Sequence, residues 1–217
     1  RMLGEYLGDY LEEQYTELTA TYGYEPPSPT QYEVYNSAQG QTAHQWFSAR
    51  MVGLPWIQTV GASTGMIVAF ASPSAVEETF NWGRLVRHEF VHILTLQQTD
   101  FNIPHWFTEA LAVRTEGVVL TEGWKQLLVR RVAAGDVFNL TTVIGGFQRP
   151  QGPDDWNMAY CQSRHYVRMI EQQWGAEALP RLVDCYRRNL TTEQAIAEVC
   201  GLTLPEFEAK YTEYLAQ

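Results

Sequence analysis

Two histidines and a glutamate carry the sharpest chemical signal in the chain. They lie in Asn81-Trp-Gly-Arg-Leu-Val-Arg-His88-Glu89-Phe-Val-His92-Ile-Leu-Thr-Leu96. With about 3.6 residues per helical turn, positions four apart share one face, so His88 and His92 can offer two imidazole nitrogens to one metal ion. Glu89 follows the first histidine and projects beside the metal, where it can hold a metal-bound water. Catalytic zinc takes three protein ligands and leaves one position for water, so a third ligand is needed. A third histidine in the extended motif would require Gly at 95 and His at 98, and the chain has Thr95 and Gln98. Glu109, seventeen residues after His92, is the other candidate, from a second helix able to turn back antiparallel to the first. On spacing alone Glu109 is equally a first-turn glutamate favoured by the helix dipole.

The elements that must position these residues are legible from apolar spacing and from breakers. Leu3, Tyr6, Leu7, Tyr10, Leu11 and Leu18 predict a helix ending near Gly23, followed by the Pro26–Pro29 break. Gln31–Tyr35 alternates like a half-buried strand, and residues 41–51 read as a short helix. Strand, glycine turn and strand are expected over 57–60, 61–65 and 66–70. After a Pro/Ser break, Asn81 is the expected N-cap of the motif helix. A second helix runs over 105–113 and a third over 124–134, with Arg130-Arg131 read as a solvated face. Residues 136–153, with Gly145-Gly146 and two prolines, read as loop. Helices follow over 157–174, 178–189, 192–200 and 204–215. Strands come first and helices afterwards, an α+β layout.

Composition narrows the partners. The 217 residues are 45% apolar and 18% charged, with a formal net charge of −10. An acidic chain without a Lys/Arg cluster argues against nucleic acid and anionic membrane surfaces. No apolar run approaches the ~20 residues of a membrane span. No signal peptide opens the chain, and Arg1-Met2-Leu3 reads as the start of an excised or processed fragment. Cys161, Cys185 and Cys200 form no Cys-x-x-Cys pair, so a thiolate zinc site is not expected. Cys185 and Cys200, on successive helices, read equally as a disulfide or as isolated core thiols.

His88-Glu-Phe-Val-His92 followed by Pro104-His-Trp-Phe-Thr-Glu109-Ala-Leu-Ala-Val113 resembles the paired signature of gluzincins. It is most similar to the peptidase MA-like domains of bacteria, which read Pro-x-Trp-[Leu/Phe]-x-Glu-Gly-Leu-Ala after the zinc helix. Ala159-Tyr160-Cys-Gln162-Ser163 with Trp174-Gly175 extends the likeness, which covers residues 81–175. Ala110 stands where the family has glycine, and His105 where a basic residue is usual; neither change removes a ligand. The resemblance implies one Zn2+ per chain held by His88, His92 and Glu109, with Glu89 as general base for a zinc-activated water. It implies Tyr160 as donor to the oxyanion, where a core aromatic is the alternative. Gln162 and Arg164 are candidates to orient substrate, and His105 and His165 read first as packed histidines, with donation to the oxyanion as the alternative. In zincins the substrate extends along an edge strand, here residues 61–70, with Gly61 and Gly65 allowing close approach.

Together these readings predict a single zincin-like domain over 1–217: a helix and sheet region (1–80), the zinc-binding helices (81–116) and a helical part (117–217), with the cleft between sheet and helical parts. The expected activity is zinc-dependent hydrolysis of peptide bonds, on a peptide or protein substrate. No Gly-x-Met-Glu-Asn element of the related aminopeptidases is present. The main rival is a catalytically inactive zincin-fold module that binds peptides, against which the retained Glu89 argues. A deformylase-type hydrolase would need an upstream cysteine, and all three lie downstream. By resemblance, the expected setting is extracytoplasmic and bacterial, with a flanking repeat domain in the full-length protein.

Overall fold

Apolar runs and capping residues account for most of the elements in the computed structural model, which describes residues 2–35, 60–72, 81–117 and 120–216. They fall into two compact units, Arg1–Phe101 and Asn102–Gln217. The expected helix over 41–51 and the expected strand at 57–59 lie outside the described residues.

In the first unit, α1 (Met2–Tyr22) ends at Gly23, whose φ of 62° favours glycine. Three strands follow: β1 (Gln31–Tyr35), β2 (Gly61–Ser63) and β3 (Ile67–Ala71). Their order is β1-β3-β2, with β1 parallel and β2 antiparallel to β3. The central β3, Ile-Val-Ala-Phe-Ala, is the most apolar and most buried, as a strand covered on both faces should be. The expected five-residue glycine turn is shorter. Gly61 pairs with Phe70 inside β2, and the chain reverses over Thr64–Met66. The Ser63 hydroxyl accepts from Gly65 N and the Thr64 hydroxyl from Met66 N and Ile67 N, so the turn needs positive φ only at Gly65.

The motif helix α2 (Trp82–Gln98) begins as expected at Asn81, whose side chain accepts from Arg84 N at 3.1 Å. Such a cap contributes about 1 kcal/mol. Its end uses no glycine. Asp100 and Phe101 both take positive φ, and Phe101 N donates back to Leu96 O at 2.8 Å. Leu18, Val68, Phe70, Val86, Phe90, Ile93 and Leu94 form the core beneath α2.

The second unit is helical: α3 (His105–Thr115), α4 (Glu122–Ala133), α5 (Val143–Gln148), α6 (Pro153–Trp174), α7 (Ala178–Arg187), α8 (Thr192–Cys200) and α9 (Leu204–Leu215). The long α6 is its centre, with α3, α4, α5, α7 and α9 packed on it. Two capping boxes, Thr191 with Gln194 and Thr203 with Glu206, start α8 and α9. The segment read as loop holds α5 and the first residue of α6. Pro153 at the N-terminus of α6 initiates that helix rather than breaking the chain. A Cβ on Gly146 would meet Ala159 Cβ at 2.8 Å and the Asp155 carbonyl at 3.0 Å, so this glycine permits close packing of α5 on α6. The Arg130-Arg131 pair is not uniformly solvated: Arg131 is mostly buried, pairs with Asp155 at 2.9 Å and lies over the Phe138 ring. All three cysteines are buried free thiols, which decides between the two readings of Cys185 and Cys200. No helix among the described residues is long and apolar enough to cross a membrane.

Candidate metal centre

Helix α2 brings His88 and His92 to one face, their ring centroids 4.9 Å apart and their planes at 74°. His88 is half-buried, while Glu89 and His92 are 5% and 7% exposed. Helix α1 packs on α2. Arg87 makes a bidentate pair with Glu17 at 2.7 Å and also bonds Gln14, and Tyr10 Oη donates to Gly83 O at 2.8 Å. The Arg87 guanidinium holds the Glu17 carboxyl below its usual range.

Gly61 places the start of β2 against the same helix. A Cβ added there would meet Leu85 Cδ1 at 2.7 Å and Glu89 Oε1 at 2.9 Å. Any larger residue would have to push aside the Leu85 and Glu89 side chains, so glycine lets that strand lie beside the Glu89 carboxylate. Tyr32 on β1 is a neighbour that sequence reasoning missed. Burial first, then the Glu89 charge, push its phenol up. Its position in an alternating strand carried no signal of this. Gly65 is elsewhere: its carbonyl accepts from Gln97 Nε2 at 2.7 Å, eight residues beyond Glu89 and thus about 12 Å along the helix. A Cβ there would strike the Phe101 ring at 2.7 Å. Gly65 serves the turn, away from the Glu89 carboxylate.

Glu109 lies in the second turn of α3, 6% exposed. His105, one turn earlier, places Nε2 3.0 Å from Glu109 Oε1, and its ring packs on Phe147 with centroids 4.6 Å apart. Sequence reading gave His105 a packing role first and an oxyanion-donor role second, and neither is a partner for Glu109. The i,i+4 spacing of His105 and Glu109 was the available signal. His88, His92 and Glu109 each offer one ligand atom, and these atoms all lie within 4.8 Å of one another.

The other candidates belong to the second unit. Tyr160, expected at the opening of a helix, sits in the third turn of α6 because that helix starts at Pro153. It is half-buried in an aromatic cluster, edge-on to Phe147 at 5.0 Å, tilted against Trp156 and stacked on Trp124. Gln162 has no exposed surface. Its amide accepts from Phe138 N at 2.8 Å and donates to Phe138 O at 2.6 Å. A substrate contact would have to break both bonds, so Gln162 clamps the segment before α5 instead. Arg164 is mostly buried, 3.6 Å from Glu171, and its burial lowers its pKa. His165 packs between Tyr211 and Tyr214. Burial, then Arg168 and Arg164, push its imidazole down to about 4.

Two imidazoles and one carboxylate are a donor set that fits zinc with a coordination position left over. No curated protein and no solved structure matches the chain. A family model described as the peptidase MA superfamily matches residues 12–217, a span that includes all three ligand candidates and Glu89. The chain therefore belongs to the peptidase MA superfamily, as a gluzincin-type domain of α+β, zincin-like fold.

Proposed function

We propose that residues 1–217 act as one zinc-dependent metallopeptidase domain that hydrolyses peptide bonds. The observation that carries this reading is the convergence of His88, His92 and Glu109 within 4.8 Å in a member of this superfamily. Glu89, the residue that a purely structural metal site would not need, stands beside His88. Zinc in that group would supply a Lewis acid and bring the pKa of a water in the fourth position toward neutrality.

The chain's own residues then divide the remaining work. Glu89 takes a proton from the attacking water and passes it to the leaving amine. Its side chain is nearly buried, which strengthens its hydrogen bond to that water. Tyr160 donates its phenol proton in a hydrogen bond to the carbonyl oxygen as negative charge builds there. The peptide pairs along β2, an edge of the described sheet, with Gly61 bringing that backbone to the Glu89 carboxylate.

The test is to incubate the zinc-loaded protein with a mixture of unstructured peptides and to follow new termini by mass spectrometry. Cleavage that stops with a chelator and returns with zinc supports the reading. A zinc-loaded protein that binds the peptides and leaves them whole would contradict it, in favour of a binding module.

A further inference from the structure

We propose that His105 is a positioning residue for the third metal ligand, an inference that rests on the metal-site reading above. In the tautomer that carries its proton on Nε2, His105 donates to Glu109 Oε1 across 3.0 Å. That bond fixes the rotation of the carboxylate that would meet the metal. A ligand held this way binds without first losing the freedom of its terminal torsion, the general benefit of outer partners that orient metal ligands.

The geometry makes the bond more than an incidental i,i+4 contact. Glu109 is almost wholly buried, whereas the His105 side chain is 40% exposed. An exposed histidine would ordinarily lose little by turning to water, but this ring is seated on Phe147, itself 1% exposed. Phe147 in turn meets Tyr160 edge-on at 5.0 Å and Trp156 at 6.0 Å. The imidazole is thus held between a fixed aromatic wall and the carboxylate it orients. The same wall carries Tyr160, so one cluster sets both the third ligand and the proposed oxyanion donor.

Two variants separate the donor from the packing. His105→Phe keeps a ring against Phe147 and removes the donated proton; His105→Gln gives up the ring and keeps a donor. Zinc affinity is measured by competition with a chromogenic chelator, the visible spectrum of the cobalt-loaded protein reports ligand geometry, and unfolding of the metal-free protein reports the fold. The Phe variant should bind zinc about 10- to 100-fold more weakly. It should show an altered cobalt spectrum and an unchanged metal-free unfolding midpoint, and the Gln variant should recover most of the affinity. Wild-type affinity and spectrum in the Phe variant would overturn the inference. So would losses in both variants that track a lowered metal-free midpoint. Failure of the wild-type protein itself to bind zinc would overturn the metal-site reading, and this inference with it.

Discussion

In α2, ligand placement is a matter of register. An asparagine cap fixes where the helix starts, the spacing of His88 and His92 fixes their common face, and contacts from α1 through Arg87 and Gly83 hold the first turns. In α3 none of those devices is present. Pro104 makes no side-chain cap, the first turn carries no acidic residue, and eight consecutive residues from Trp106 to Val113 are buried. Glu109 is directed there by what surrounds it: packing on α6 and the bond from His105. A ligand set by register is portable within a sequence, whereas one set by burial depends on the whole unit around it.

The contrast can be broken at several points. The largest effect is expected from Glu89→Gln, which leaves register, cap and ligands intact and removes only the base. Peptide hydrolysis should fall about 100- to 10,000-fold with zinc content unchanged; residual activity near wild type would remove Glu89 from the chemistry. Next is Phe107→Ala in α3, fully buried in the middle of the helix. Its truncation should cost about 3–5 kcal/mol of unfolding free energy, measured by urea denaturation. A cost below about 1 kcal/mol would mean that burial does not hold α3.

A smaller effect sharpens the same point through pH. His165 is buried in its neutral form, with a folded value of about 4 against an ordinary 6.5. The unfolded chain therefore binds a proton first, so this contribution to stability is present above about 6.5 and is lost as pH falls toward 4. His165→Phe should remove about 1–3 kcal/mol of the acid-dependent loss across that window. Parallel pH profiles for wild type and variant would contradict the assignment. The smallest effect belongs to the first unit. Arg87→Ala breaks a pair whose Glu17 side chain is half exposed, so the cost in urea unfolding should stay below about 1 kcal/mol. A loss as large as that of Phe107 would reverse the comparison.

The same contrast explains what the sequence made legible. The motif helix, its cap and its paired histidines follow from local rules that α2 obeys. In the second unit α8 and α9 were legible too, because Thr191, Thr203 and Gly201 punctuate them, whereas the short α5 was hidden by its two glycines. Glu109 was not resolved by pattern, since a helix buried on all sides has no apolar stripe to say which way a carboxylate points; only the resemblance raised it above a first-turn glutamate. Gly61 carried both a turn and a close-approach reading, and Gly146 was read as loop, because close backbone approach leaves the same mark as a turn. Gln162 was misread because its partner, the backbone of Phe138, is twenty-four positions away.

The central claim is that residues from α2 and α3 hold one zinc ion together. The most direct measurement is the zinc content of the purified protein beside a Glu109→Ala variant, each after reconstitution and removal of free metal. About one zinc per chain in wild type, with a sharp fall in the variant, is the predicted result for a three-ligand site. Equal zinc in both proteins, or none in either, would contradict it.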